Sequence, residues 1–200
     1  MSKLGGGLFS SSTGQLFSPK KVEVNAKIVD FISEVSVTHY YSNNKDLPID
    51  AVFWFPVEEG AAVTSFKAKF GNQEVVTEVK ERKVAKAAFA EATKHNRKVP
   101  LLEEIKPDIF KISLGQLMPG DDAEINVKFI FELSLDDMKT RFAIPMSITS
   151  RYAPKGYLTP NDMEIASISH KTFESVPISF NINCDYLENS PLIPDLPPSE

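Results

Sequence analysis

Two hundred residues make one large domain or two small ones at roughly 100 to 200 residues per domain. With 42% hydrophobic side chains, such a chain buries roughly 70% of its unfolded surface and needs no metal or disulfide staple. Charged residues at 24% exclude disorder or a collagen-like structure for the bulk of the chain. A net charge of −5 and a pI near 5.3 argue against an extended basic face for phosphate backbones, whose recognition rests on Lys and Arg.

The single cysteine, Cys184, makes no internal disulfide, and His39, His95 and His170 are too scattered to build a zinc site with it. A reducing compartment fits that usage. Met1-Ser-Lys-Leu-Gly-Gly-Gly-Leu-Phe9 lacks the apolar run of roughly 7 to 15 residues of a signal peptide, and no stretch approaches the ~18 needed to cross a bilayer. No Asn-x-Ser/Thr acceptor occurs. The expectation is a soluble cytoplasmic protein.

Residues 1–19 are Gly/Ser-rich and contain an echo, Leu8-Phe9-Ser10 and Leu16-Phe17-Ser18. They read as a flexible lead-in whose Leu-Phe pairs dock on the domain edge, or as a short motif for a partner. From Lys20 the period becomes two: Val22, Val24, Ala26 and Ile28 alternate with polar residues, and Ser33 to Tyr41 repeats the pattern, which is the half-buried strand signature. After turn chemistry at 42–48, Ile49 to Phe55 reads as a strand closed by Pro56. Val63 to Phe70 alternates again and turns at Gly71-Asn72 into Glu74 to Val79. Up to here the pattern predicts an antiparallel meander.

Between Lys80 and His95 the period becomes helical, with Ala85, Ala88, Phe89 and Ala92 on one face. One short amphipathic helix is expected there. Strand patterns return at Phe110, Ile112 and Leu114, then, after the turn at 118–122, from Ala123 through Leu133. Arg141 to Ile148 and Pro177 to Cys184 add two more. Short strands joined by turns and interrupted by a single helix predict a mainly β protein, an antiparallel β-sandwich with one inserted helix. The Pro-rich end, 191–200, reads as a tail or linker.

The run Ala51-Val-Phe-Trp-Phe-Pro-Val-Glu-Glu-Gly-Ala-Ala-Val-Thr-Ser-Phe66 is followed by the helix with Ala85 and Phe89, then Leu101-Leu102-Glu103, Asp108-Ile-Phe110, Gly115-Gln-Leu-Met-Pro-Gly120, Pro145 and Arg151-Tyr152. In this order these motifs resemble the VIT domain, named for vault proteins and inter-alpha-trypsin inhibitor heavy chains. The resemblance covers about residues 20–155, leaving 156–190 as a β extension toward a following domain. It implies a mostly β fold with one helix, and a von Willebrand A domain as the usual companion, in the same or another chain. The intracellular branch is nearer than the secreted heavy chains. Two departures stand out: Ser150 lies where the family often has Pro, and the Asp-x-Ser-x-Ser metal motif of A domains is absent. The chain is therefore expected to be either a fragment or a stand-alone VIT module.

Most motif residues are of structural types. Phe53, Phe55 and Phe66 are expected core anchors, and Ala61, Ala62, Val63, Leu101, Leu102, Phe110 and Tyr152 are expected to belong to the scaffold that the family motifs mark. Gly60, Gly115 and Gly120 suit backbone that a Cβ would strain, and Pro56 and Pro119 end strands or preset turns. Glu103 is different, because a carboxylate after two apolar residues is costly to bury unless paired. Its expected partner is Arg151, giving a structural ion pair between the ends of the module; the alternative is that both are solvated.

Catalysis has little to work with. Cys184 and His170 could be imagined as nucleophile and base, but no signature surrounds either. Glu103-Glu104, Asp121-Asp122 and Asp136-Asp137 belong to turns or solvated edges, not to a glycosidase pair. There is no phosphate loop or dinucleotide fingerprint, and no cofactor, catalytic residue or metal ligand is expected. The one positive concentration, Lys80, Arg82, Lys83, Lys86, Lys94, Arg97 and Lys98, is the solvated face of the helix or a surface for an acidic partner. The sequence thus points to a non-enzymatic protein-interaction module without nucleic-acid binding or membrane insertion. The alternatives are a structural spacer or a hydrolase with an unrecognised site.

Overall fold

A computed structural model describes residues 6–71, 73–78, 102–136, 139–148, 165, 168 and 175–185. The described residues form strands β1 (Gly7–Ser10), β2 (Leu16–Phe17), β3 (Lys21–Val29), β4 (Ile32–Ser42), β5 (Ile49–Pro56), β6 (Ala62–Phe70) and β7 (Gln73–Glu78). They continue with β8 (Leu102–Lys106), β9 (Ile109–Leu117), β10 (Asp122–Glu132), β11 (Ser134–Asp136), β12 (Lys139–Arg141) and β13 (Ile178–Asp185). The protein is mainly β. The expected helix at 80–95 and its basic run lie outside the described residues.

Five strands form one sheet in the order β2-β1-β5-β9-β8, and six form another in the order β13-β3-β4-β10-β6-β7. The hairpins β3–β4 and β6–β7 follow the alternation of the sequence. The meander does not. β5 leaves β4 and pairs with β9 and β1 in the other sheet, while β10 inserts between β4 and β6. The physical reason lies in β5 itself: Ala51, Phe53 and Phe55 enter one apolar cluster while Val52 and Trp54 enter another. A strand apolar on both sides has to be covered on both sides.

The main core is shared by the two sheets. Phe53, fully buried, meets His39 of β4 edge-on at 5.2 Å, Phe55 at 5.7 Å and Phe66 of β6 at 6.3 Å, and Phe55 stacks on Phe110 at 5.4 Å. Truncating such a ring costs about 3 to 5 kcal/mol. The second core, on the far side of β5, joins Phe9, Val52, Trp54, Ile109, Ile148, Ile165 and Ile168.

Three further expectations change. Residues 7–17 are not a peripheral lead-in: the Leu-Phe echo is a hairpin paired with itself, Leu8 opposite Phe17 and Phe9 opposite Leu16. Its first strand lies between β2 and β5, with Leu8 and Phe9 buried in opposite cores. Gly7 admits this approach, because its φ is +143° and a Cβ would stand 2.8 Å from the Tyr41 hydroxyl. Residues 142–148 are not a strand; Phe142, Ile144 and Met146 pack against the main core without a ladder. Finally, β13 pairs with β3 in parallel, Phe180 beside Val24 and Cys184 beside Ile28, so the six-stranded sheet is mixed.

Candidate functional site

Alternation along β4 puts Val35, Val37, His39 and Tyr41 on the core side, so an imidazole and a phenol enter the apolar interior together. The Leu8 N–H donates to Tyr41 Oη at 3.2 Å, and Tyr41 Oη lies 3.4 Å from His39 Nδ1. A phenol that accepts from Leu8 has its own proton left for Nδ1, which assigns the imidazole proton to Nε2. Burial lowers the His39 pKa to about 4 and raises that of Tyr41, so the imidazole is neutral near pH 7. It borders a cavity of about 30 Å³ walled by Gly6, Val37, Trp54, Phe55, Pro56, Val127, Phe129, Ile144, Pro145 and Met146. No wall residue carries a charge or a nucleophile, so the network ties β1 to β4 and is poorly equipped for proton transfer to a substrate.

The second concavity, a cleft of about 730 Å³, is lined by Lys20, Lys21, Tyr40, Tyr41, Lys69, Gly71, Asp122, Ala123, Glu124 and Pro177. Register sets its outer row: Lys21, Tyr40, Glu124, Lys69 and Glu74 stand side by side across β3, β4, β10, β6 and β7. Lys20 Nζ donates to Asp122 at 2.7 Å, Lys21 Nζ to Glu23 at 2.6 Å, and Lys69 Nζ lies 4.0 Å from Glu74. Lys21 also sits over the Tyr40 ring at 4.2 Å, and Tyr40 Oη donates to Glu23. The hydrogen bond from Lys21, and after it that from Tyr40, holds Glu23 below its usual range; the bond from Lys20 does the same for Asp122. Each ammonium of the cleft already faces a carboxylate. Exposed pairs of this kind contribute ~0 to 1 kcal/mol, and the cleft offers balanced polarity and not a net field for an anion.

The residues expected to carry a site are dispersed. Glu103 lies exposed in β8, opposite Lys111 of β9, so the premise of a buried carboxylate fails: in this short edge strand Leu102 turns toward the core and Glu103 away from it. Arg151, Leu101 and Tyr152 lie outside the described residues, as do His170 and the basic residues from Lys80 to Lys98. Cys184 is half-buried in β13. Of the expected scaffold, Phe55, Val63, Phe66 and Phe110 are buried, Pro56, Ala61 and Leu102 half-buried, and Ala62 and Pro119 exposed. Gly60, Gly115 and Gly120 have φ of +82°, +99° and +80° with open space where a Cβ would go, so conformation and not room selects glycine. Among the described residues no group of three His, Cys, Asp or Glu side chains could hold a metal ion, and no helix is long and apolar enough to cross a membrane.

Asn43 was hidden in what reads as turn chemistry. It is fully buried, and its Nδ2 donates to Leu47 O at 3.0 Å and Leu117 O at 2.9 Å while Oδ1 accepts from Lys45 N at 3.0 Å. Its backbone N–H donates to Asp121 O and its carbonyl accepts from Gly120 N. One side chain thereby fastens the β4–β5 loop to the β9–β10 turn. The only signal in the sequence was an Asx residue at the head of a loop.

The Vault protein inter-alpha-trypsin domain model matches residues 19–129. Rat von Willebrand factor A domain-containing protein 5A is 32% identical over 136 residues, covering 66% of this chain and 16% of the relative. Mouse protein mono-ADP-ribosyltransferase PARP4 is 32% identical over 127 residues, 64% of this chain and 6% of the relative. A von Willebrand factor A domain-containing protein of Dictyostelium discoideum is 23% identical over 186 residues, 92% of this chain and 20% of the relative. The chain thus spans a fifth or less of the length of each of these relatives. The family match spans more than half of the chain and takes in β3 to β7, β8, β9 and most of β10, and on that ground the chain belongs to the Vault protein inter-alpha-trypsin (VIT) domain family.

Proposed function

We propose that this chain is a non-catalytic protein-interaction module, a VIT-type β-sandwich of a cytoplasmic protein, whose partner is a von Willebrand A domain in the same chain or another. The observation that carries the reading is that relatives sharing this region are named for an A domain. The mono-ADP-ribosyltransferase relative shares 6% of its length with this chain, too little to bring its activity along. Function argued from a shared module is an argument by association, and a direct binding measurement decides it. Isothermal titration of the 200-residue chain with a purified A domain from protein 5A is expected to give saturable binding with Kd of about 10 µM or tighter. No heat up to about 100 µM refutes the reading and leaves a structural spacer. Reversing Lys83 and Lys86 to Glu tests the basic run as the contact surface, with a tenfold loss expected.

A further inference from the structure

We propose that β13 is a self-association edge: two copies of this chain join antiparallel along β13, with the two-fold axis at Asn181. Among the described residues the two sheets have four outer strands, β2, β8, β7 and β13. Exposed edges in monomers are blunted by charge, proline or shortness. β2 has two residues, β7 carries Glu74 and Glu78, and β8 carries Glu103, Glu104 and Lys106. β13 is eight residues long, with Asp185 at its last position as its single charge and no proline. That carboxylate is 3.9 Å from Lys27 Nζ of its own copy, so the approach of a second β13 meets no uncompensated like charge.

The hydrogen-bonding side of the edge follows from the ladder. Val22 N–H donates to Pro177 O and Asp30 N–H to Asp185 O, so the odd-numbered residues direct their backbone groups at β3. With a period of two, Ile178, Phe180, Ile182 and Cys184 direct theirs away from β3, and among the described residues β13 pairs with β3 alone. Side chains of these same four residues share the core-side face with Val22, Val24, Ala26 and Ile28. Ile178 and Cys184 reach the core, whereas Phe180 and Ile182 remain 57% and 44% exposed.

A closed two-fold contact requires a surface that is its own complement, and this strand is one. Centred on Asn181, the antiparallel register sets Phe180 against Ile182 of the other copy and Ile178 against its Cys184, and it uses every outward backbone group of the four. A shift by two residues in either direction leaves part of them unpaired. This symmetry is the ground for naming a second copy and not a foreign strand as the occupant. An eight-residue edge is small beside the roughly 1,200 to 2,000 Å² of stable interfaces, so the dimer is expected to dissociate with Kd of about 100 µM.

Sedimentation velocity of the full chain from about 5 µM to about 1 mM is expected to move from 22.2 kDa toward twice that mass. Ile182→Lys is expected to weaken association at least tenfold with an unchanged thermal melt, and Phe180→Asn serves as a second probe if that variant folds poorly. The register has its own test, because opposed residues that pair through their backbones lie about 5.5 Å apart at Cα, within disulfide reach. Ile178→Cys, oxidised by diamide, which takes up the two thiol hydrogens, is expected to give a covalent dimer through Cys184 of the other copy. Adding Cys184→Ser abolishes it. A chain that stays at the monomer mass throughout overturns the proposal, and amide protection at Phe180 and Ile182 in that monomer would assign the edge to another occupant. A dimer that survives Ile182→Lys, or fails to cross-link through Ile178→Cys, overturns it equally.

Discussion

Neutral His39 makes the stability of this fold depend on pH in a window where few groups titrate. Its pKa is lowered by burial from 6.5 to about 4, so the unfolded chain binds the proton more readily than the folded one. The contribution of the neutral ring is therefore complete above about pH 6.5 and is lost as pH falls toward 4. The difference of about 2.5 pH units corresponds to about 3 kcal/mol, of which about 2 kcal/mol is gone by pH 5. Glu23 and Asp122, whose pKa values are lowered from 4.5 and 3.8, lose their contributions below the pH 7 to 5 range, and no residue walling the cavity beside the ring is ionisable apart from His39 itself. Urea unfolding at pH 7, 6 and 5 gives the measurement, with His39→Phe as the reference. The native chain is expected to lose about 2 kcal/mol between pH 7 and 5 and the variant little of it. Parallel pH profiles for the two proteins would refute the reasoning, as would a His39 imidazole resonance, assigned by its loss in His39→Phe, titrating near pH 6.5 in the folded protein.

Asn43→Ala is expected to destabilise by about 2 to 4 kcal/mol, since it strands the buried Leu117 carbonyl along with two partly buried groups; a denaturant midpoint measured at constant m-value checks it, and a loss under about 1 kcal/mol would mean that water replaces the side chain. Glu103→Gln is expected to change stability by less than about 0.5 kcal/mol, because Glu103 is exposed; a loss of several kcal/mol in chemical denaturation would restore the buried pair with Arg151.

How far the fold could be read depended on whether one face of a strand meets water. In β3, β4 and β10 it does, and alternation from Val22 to Ile28, Ser33 to Tyr41 and Ala123 to Leu133 located them within a residue or two. In β5 it does not: Ala51-Val-Phe-Trp-Phe55 is apolar on both sides, so its sequence gave no hint that it had changed sheets. In β8 a register irregularity between Glu104 and Lys106 breaks the period that would have marked it. The Leu8-Phe9 and Leu16-Phe17 echo was visible, but pairing is a property of two segments, and glycines on either side masked the strand. Phe142, Ile144 and Met146 alternate well and still form no strand, because periodicity reports burial and not hydrogen bonding. His39 was legible by parity with Val35 and Val37; its link to Leu8 was not, since 33 residues separate donor and acceptor. The VIT motif residues are largely those of the core and turns, which is why family membership was readable while a binding surface was not.

The double coverage of β5 divides the chain's aromatic reporters between its two cores. The one tryptophan lies in the second core with Phe9, Ile148, Ile165 and Ile168, all of which fall outside residues 19–129, while the rings that join the sheets are Phe53, Phe55, Phe66 and Phe110. Indole emission from this protein therefore reads the seating of its flanking segments on the five-stranded sheet. A piece trimmed to the family limits would carry Trp54 without that cover and would also lose Leu8, Phe131 and Leu133 from the main core, so its fluorescence would describe a packing that the longer chain does not have.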